Sequence, residues 1–364
     1  MKKVTHITSA HPREDIRIFI KECSSLAQNG YKVSLIVADG KGHENKNNVS
    51  IIDAGAKEKS RYRRILKTTS DVVDKAIETK ADIYHIHDPE LLLFSKKLMK
   101  HGKLIYDAHE DVPRQILSKN WIHPFFRKLI SLATEKTENY YAKKVSGVVA
   151  ATPFIKKRFI KTNPLTENVN NFPILEELGD IQHPSSKERF VCYIGGLSAV
   201  RGLFEMIKAM EYVDGKLLLA GVFLSKEEKD LAQTLPGWKK IVDLGFCDRD
   251  KIKDILSLSR AGLVVLRPTI NYVDALPIKL FEYMAAGLPV IASSFPLWRD
   301  IVLPIKCGIC VNPLNPKHIG EAINWILDNP KKSDAMGRRG KKATQSTYNW
   351  EGEREKLLSF YAHM

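Results

Sequence analysis

Short apolar runs alternate with longer amphipathic ones throughout the first half of the chain. KVTHITS, YKVSLIVA, ADIYHIHD, KLIYDAH and VSGVVAAT read as strands, and DIRIFIKECSSLAQNG, between the first two, reads as a helix closed by Gly30. Strands separated by helices of about ten residues or more predict a parallel, doubly wound sheet. Prolines, Gly179 and paired serines break this rhythm in NFPILEELGDIQHPSSKE, which reads as a linker over 171–188. The pattern then restarts with RFVCYIGG, KLLLAG, KKIVDLG, AGLVVLR, LPVIAS and CGICVNP as strands. The expectation is an α/β protein of two Rossmann-like doubly wound domains, 1–170 and 189–345, with a cleft between them at the carboxyl ends of their strands. The tail, 346–364, reads as a helix returning to the N-terminal domain. No short tandem repeat is visible.

Composition narrows this only modestly. With 364 residues and 44% hydrophobic content the chain can fill two ordinary cores. No apolar run approaches the ~20 residues that span a bilayer. The opening MKKVTHITSAHPRED is charged without a long apolar run, and predicts no signal peptide. Five scattered cysteines point to a reducing compartment, with the cytoplasm as the expectation.

Charge changes the picture more. The net charge is +15, and its bases cluster in the first half: Lys119 to Lys161 holds ten Lys/Arg against two acids, and Lys57 to Lys67 holds six bases. Solvated helix faces and a functional basic surface are both open readings. No helix-turn-helix, zinc-finger or RNP-type signature accompanies the bases, which argues against nucleic acid as a partner. Aromatic and apolar residues interleave with them in WIHPFFRKLI and PFIKKRFI, which suits an anionic membrane surface.

Candidate chemistry sits where strands end. In DALPIKLFEYMAAGLPVIAS a short helix begins just after Pro277 and carries Lys279 and Glu282 between two buried strands. A helix N-terminus suits phosphate, lysine adds a second positive element, and glutamate offers an acceptor that a sugar hydroxyl can use. Together they suggest a nucleotide held at its phosphates and its ribose. YIGGLSAVRG follows a strand, so Gly195 and Gly196 let backbone N–H groups approach a phosphate near Arg201, although plain turn chemistry explains two glycines equally well. It is not GxGxxG, which disfavours an NAD-dependent dehydrogenase. YHIHDPELL puts His85 and His87 on one strand face, with no third metal ligand at convincing spacing, and YDAHEDVPRQ adds Asp107, His109, Glu110 and Asp111 at another strand end. Asp248-Arg-Asp250 reads as a helix cap and not as a DxD metal motif, and Cys307-Gly-Ile-Cys310 as part of a strand and not as a redox pair.

On these residues the chain resembles a glycosyltransferase of the GT-B fold, of the family-four (glycosyl transferases group 1) type, over almost its whole length. The most specific likeness is to that family's acidic-x7-Glu motif followed by EYMAAGLPVIAS. Asp274 takes the place of the first, usually glutamate, member, and Glu282 is the second, implied to hydrogen-bond the donor ribose. The family's diphosphate-clamping Arg and Lys positions are held by Gly196 and Arg201, so Lys279 is the expected replacement cation on the facing helix. The resemblance thus implies Gly195, Gly196, Arg201, Asp274, Lys279, Leu280 and Glu282 at the donor. In the first domain HPREDIRIF and HIHDPE are similar to family segments, implying Asp15, Arg17, His87, Asp88 and Glu110 on the acceptor side. His109 matches the active-site histidine and joins Arg201, Lys279 and Glu282 as the expected catalytic set. The resemblance implies a retaining, metal-independent, hexosyltransferase-type enzyme without a cofactor, working by front-face substitution. Its co-substrate is a nucleoside diphosphate sugar, UDP first and GDP second. Its acceptor is a glycan or lipid-linked glycan in cell-surface polysaccharide biosynthesis, met in the cytoplasm at the inner face of the membrane. Two rivals stand beside this reading: a nucleotide-sugar 2-epimerase, and a non-catalytic membrane- or polyanion-binding GT-B scaffold.

Overall fold

The computed structural model describes residues 1–58, 60, 64–119, 122–178, 181–184 and 188–364. Lys59, Arg61, Tyr62 and Arg63 of the basic run, Trp121 of the aromatic-basic run, and Gly179, Asp180 and 185–187 of the expected linker lie outside the described residues. The chain forms two compact units, one of Met1–Asn171 with Trp350–Met364, the other of Phe172–Asn349.

The first unit is built on strands β1 (Lys3–Ile7), β2 (Lys32–Val37), β3 (Glu44–Lys46), β4 (Val49–Asp53), β5 (Ile83–Ile86), β6 (Lys103–Ala108), β7 (Gly147–Ala150) and β8 (Thr166–Asn168). Their order is β3-β4-β2-β1-β5-β6-β7-β8, all parallel except β3, which turns back on β4. Five of these strands are the apolar runs read from the sequence. The β3–β4 hairpin and β8 are not. β3 is the polar segment ENK, mostly exposed, so burial left no alternation to read. The turn does carry a signal: Asn47 and Asn48 both take positive φ, 51° and 59°, as a tight hairpin requires. After β1 the chain coils through Ile16–Cys23 as a π-helix and Ser24–Gln28 as an α-helix. Asp15 caps it, its Oδ1 accepting the Arg17 and Ile18 N–H groups at 2.9 Å each. This segment buries Arg17, Lys21 and Glu22 together with Ile18 and Phe19, an expensive choice unless the charges are paired. The C-terminal helix Trp350–Ala362 seals the same unit. Trp350 Nε1 donates to Ser25 Oγ at 3.0 Å, and Glu353 Oε2 accepts the Asn170 N–H at 2.8 Å.

The second unit holds six strands: β9 (Phe190–Ile194), β10 (Lys216–Ala220), β11 (Ile241–Gly245), β12 (Gly262–Val264), β13 (Val290–Ser293) and β14 (Gly308–Val311). All are parallel in the order β11-β10-β9-β12-β13-β14, and each is a run that hydrophobicity marked. In both units the order reverses beside the first strand, between β1 and β5 and between β9 and β12. A doubly wound sheet opens its crevice there, outside the carboxyl ends. Gly202 shows how tightly the second switch point is packed: it takes φ +77°, and a Cβ on it would stand 1.8 Å from the Val265 carbonyl oxygen.

From Phe172 onward the first residues of the expected linker pack in the second unit. Phe172 lies 5% exposed in the core of the second unit, its ring 4.7 Å from that of Phe281 and 5.4 Å from that of Tyr348. Leu175–Leu178 is helical, and Glu177 pairs with Arg249 at 2.8 Å. The apolar side chains of Phe172 and Leu178 pack in the second unit's core. Phe172→Ala should cost about 3 kcal/mol of unfolding free energy, measured by denaturant titration. A cost under about 1 kcal/mol would place Phe172 in a free linker.

Candidate functional site

In the second unit the carboxyl end of β9 turns through Gly195 and Gly196 and meets the helix Ile278–Ala285. Gly195 takes φ +137°, and a Cβ there would stand 2.7 Å from Lys279 Nζ; a Cβ on Gly196 would stand 2.7 Å from Arg201 Nη1. Two glycines are thus the floor over which two cations reach. Lys279 Nζ donates to Tyr193 Oη at 2.9 Å and sits 4.2 Å from the centre of that ring. Burial, then the neighbouring Arg201, push the Lys279 amine down to about 7 against the pull of Glu282. Arg201 reaches the Gly196 carbonyl at 3.5 Å. The pair forms a cradle short of negative charge.

Glu282 lies one turn further along the helix, and its Oε1 accepts from Arg249 Nη1 at 3.0 Å. Arg249 is a residue that sequence reasoning missed. It was hidden inside the Asp248-Arg-Asp250 decoy, where Asp248 caps its helix by accepting the Lys251 N–H at 2.9 Å. A carboxylate accepts at more than one position, so Glu282 keeps capacity for a hydroxyl. Beside the glycine turn lies a cavity of about 290 Å³, lined by Gly195, Gly196, Val222, Leu224, Phe246 and Ile252. Phe246 is 81% exposed there, an apolar wall open to a ligand face. Asp274 ends the short helix Ile270–Val273 and is half-buried. Leu280 is a correction: its side chain is wholly buried in the core and its N–H donates to the Pro277 carbonyl, so it offers a ligand nothing polar. Burial pushes the thiols of Cys310, in β14, and Cys307, just before it, up to about 11 and about 12.

In the first unit the switch point gathers histidines from β1, β5 and β6. Asp107 is wholly buried at the end of β6 and receives Arg17 Nε at 3.0 Å and Nη2 at 2.8 Å. Burial alone would raise its pKa, but Arg17 and His109 outweigh that and hold the carboxyl well below its usual range. His109 Nε2 lies 2.5 Å and His87 Nδ1 3.2 Å from Asp107 Oδ2. A carboxylate only accepts, so both nitrogens carry hydrogen. The remaining links are set in turn. Burial pushes His87 down to about 4, so at neutral pH its Nε2 is bare and accepts from His6 Nδ1 at 2.8 Å. Burial, with His87 nearby, likewise lowers His6; its bare Nε2 faces Tyr361 Oη at 3.4 Å. That hydroxyl oxygen accepts in turn from His85 Nδ1 at 2.7 Å. The links run inward from the Asp107 anion, beside which the two hydrogen-bearing nitrogens, His87 Nδ1 and His109 Nε2, also stand 3.0 Å apart.

This geometry corrects one assignment and reweighs another. Arg17 faces no ligand: Asp107, Glu22 at 3.2 Å and the Val169 carbonyl at 2.8 Å consume its guanidinium. Asp15 caps the π-helix and reaches His11 Nδ1 at 3.3 Å, so it orients the loop. Asp88 accepts from Thr8 Oγ1 at 2.8 Å and the Ser9 N–H at 2.7 Å, and Glu110 is exposed beside Gln115. His11, whose ring lies 5.2 Å from that of His109 and 3.4 Å from Asp88, belongs to the group although no motif singled it out. His85 and His87 were set aside as metal ligands for want of a third partner. Tertiary structure supplies partners: ligand atoms of His87, Asp107 and His109, and of His6, Glu22, His85 and His87, lie within 4.8 Å of one another. Arg17 already occupies the Asp107 anion and brings the positive charge a cation would bring.

Comparison with known proteins decides the family. Residues 19–169 match the Glycosyltransferase Family 4 model and residues 176–343 match the Glycosyl transferases group 1 model. The chain belongs to the GT-B glycosyltransferases of the family-four type. An uncharacterized glycosyltransferase of Methanocaldococcus jannaschii is 27% identical over 179 residues, 48% of this chain and 45% of that protein. The chain spans about half the length of the first curated relatives it matches. Among solved structures, sucrose-phosphate synthase of Thermosynechococcus elongatus has a TM-score of 0.79 at 17% identity, covering 100% of this chain and 99% of that one. HepE of Anabaena in complex with UDP has a TM-score of 0.74 at 13% identity, covering 100% of each chain. At such identities the likeness is one of fold.

For this family-four chain the buried lysine has a consequence in pH. Phosphate favours the ammonium form of Lys279, and without phosphate the amine holds that form only below about pH 7, against an ordinary 10.5. Binding of pyrophosphate should therefore take up a proton and weaken as pH rises above 7.5, by up to about tenfold per unit. Lys279→Met should bind more weakly at pH 7 and lose this slope. Calorimetry in buffers of different ionisation enthalpy measures both, and a flat wild-type profile would overturn the assignment.

Proposed function

We propose that the protein is a glycosyltransferase that moves a sugar from a nucleoside diphosphate sugar to a glycan or lipid-linked glycan acceptor in cell-surface polysaccharide biosynthesis. The observation that carries this is the cradle of Lys279 and Arg201 over Gly195 and Gly196, with Glu282 one turn away. The diphosphate lies on the glycine turn, Glu282 holds the ribose, and the adjoining apolar cavity receives the base against Phe246. UDP is the first candidate and GDP the second; a structural neighbour carries UDP.

Transfer retains the anomeric configuration by front-face substitution. The departing phosphate draws the proton from the acceptor hydroxyl while Lys279 and Arg201 stabilise the charge developing on it. Neither a metal nor a cofactor is needed, because these cations do that work. In the first unit His109 offers Nδ1 to a hydroxyl of the transferred sugar or acceptor, and His87, Asp88, Asp15 and Glu110 shape that side. Asp274 stands where the family's first acidic member stands. The enzyme works in the cytoplasm at the inner face of the membrane, which the basic excess over 119–161 supports. A second reading, nucleotide-sugar 2-epimerase, draws on the concentration of histidines and carboxylates around Asp107.

Thermal unfolding with UDP, GDP, ADP, CMP and NAD tests the proposal. A ligand at about 100 times its dissociation constant adds about 2.7 kcal/mol. One nucleoside diphosphate should raise the midpoint, and Glu282→Ala should abolish the rise and cut transfer at least about tenfold. No response to any diphosphate would sink the proposal. Conversion of the sugar nucleotide without an acceptor would favour the epimerase.

A further inference from the structure

The helix Pro124–Ala142 of the first unit is built inside out. Its buried positions are Ser131, Glu138 and Ala142. Ser131 Oγ donates to the Pro113 carbonyl at 2.7 Å, and Glu138 accepts from Tyr106 Oη at 3.0 Å and Arg158 Nη2 at 2.8 Å. Its apolar residues face out: Phe125 is 79% exposed, Leu129 64%, Phe126 51% and Leu132 49%. Phe125, Leu129 and Leu132 succeed each other at four and three residues, one continuous stripe along the helix. A helix that served only this unit's core would carry those side chains inward. A contiguous exposed apolar stripe marks a surface that something covers.

The charges say what covers it. Lys128 and Lys136 are exposed along the stripe, and Lys143 and Lys144 stand just past its end. Both acids of the helix are already paired inside the unit, Glu135 with Arg114 at 2.8 Å and Glu138 with Arg158. The free charge on this face is therefore positive only. A second copy meeting it across a two-fold axis would set lysine against lysine with no acid of the helix to answer. An anionic lipid surface meets both halves of the pattern, headgroups taking the lysines while phenylalanine and leucine enter the acyl boundary.

We infer that the exposed face of Pro124–Ala142 is a membrane-docking surface, on which Phe125, Phe126, Leu129 and Leu132 insert while Lys128 and Lys136 bind anionic headgroups. This gives the membrane partner of the proposed function a definite surface, and it does not depend on nucleotide binding. No helix among the described residues is long and apolar enough to cross a membrane, so the contact is peripheral insertion at this face.

Co-sedimentation with phosphatidylcholine vesicles carrying about one-third phosphatidylglycerol tests it. The wild-type chain should bind these and not pure phosphatidylcholine, and about 1 M salt should remove most but not all of the binding. Lys128→Glu with Lys136→Glu should weaken low-salt binding at least about tenfold. Phe125→Ser with Leu129→Ser should abolish the salt-resistant remainder. All four positions are exposed, so both double variants should keep the wild-type melting temperature and its response to the nucleoside diphosphate. Absence of vesicle binding, or binding that neither double variant weakens, would overturn the inference. So would a wild-type dimer in light scattering that Phe125→Ser with Leu129→Ser converts to monomer, since a second copy would then own the face. A wild-type chain that binds vesicles but ignores every nucleotide would support this inference while sinking the transferase reading.

Discussion

The first unit depends on one buried ion pair. Arg17 and Asp107 are almost without solvent, and burying two charges costs several kcal/mol each unless geometry and further hydrogen bonds answer the loss. Here they do. The guanidinium forks onto both carboxylate oxygens and spends its remaining arm on the Val169 carbonyl. The anion then acts as the origin of a hydrogen-bond chain through His87, His6, Tyr361 and His85. Segments far apart in sequence, from β1 to the C-terminal helix, are thereby held together. His109 stands beside it, held by Asp107 at 2.5 Å and His87 at 3.0 Å.

The second unit solves the opposite problem. Lys279 is buried without a carboxylate in direct contact, on a tyrosine ring and beside another cation, and this lowers its proton affinity. Such a site is destabilising by itself and relieved by an anion. The two glycines leave room for the cations, because a Cβ on either would stand 2.7 Å from Lys279 Nζ or Arg201 Nη1. Arg249 holds Glu282 in place through an ion pair at 3.0 Å. Each unit therefore places its strongest electrostatic feature at the point where strand order reverses, the one place where a parallel sheet leaves its carboxyl ends uncovered.

The helix Pro124–Ala142 shows the same economy at the surface. Its inward face is polar because Glu138 and Ser131 serve the hydrogen bonds of Tyr106, Arg158 and Pro113. Its apolar residues are left to face outward, and the bases beside them have no acids to spare. Periodicity alone would assign those phenylalanines and leucines to the core.

How much of the molecule was legible depended on the range of the physics. Parallel strands buried on both faces must be apolar runs, so eleven of them could be read directly, whereas the polar β3 could not. The Lys279–Glu282 pair is local, three residues apart on one short helix, and its spacing could be read as a nucleotide signal. Arg17 was misassigned because an arginine near a strand end looks the same whether it faces a ligand or a buried aspartate ninety residues away. His11, Arg249 and the role of Tyr361 were invisible for the same reason, and Leu280 because the buried face of a site helix continues the same motif. The sequence by itself determined the two α/β units, the strands that build them and the residue types at the strand ends. Which of those side chains pair with one another and which remain to meet a ligand was decided only by the tertiary structure, because hydrogen bonds and desolvation act through space and not along the chain.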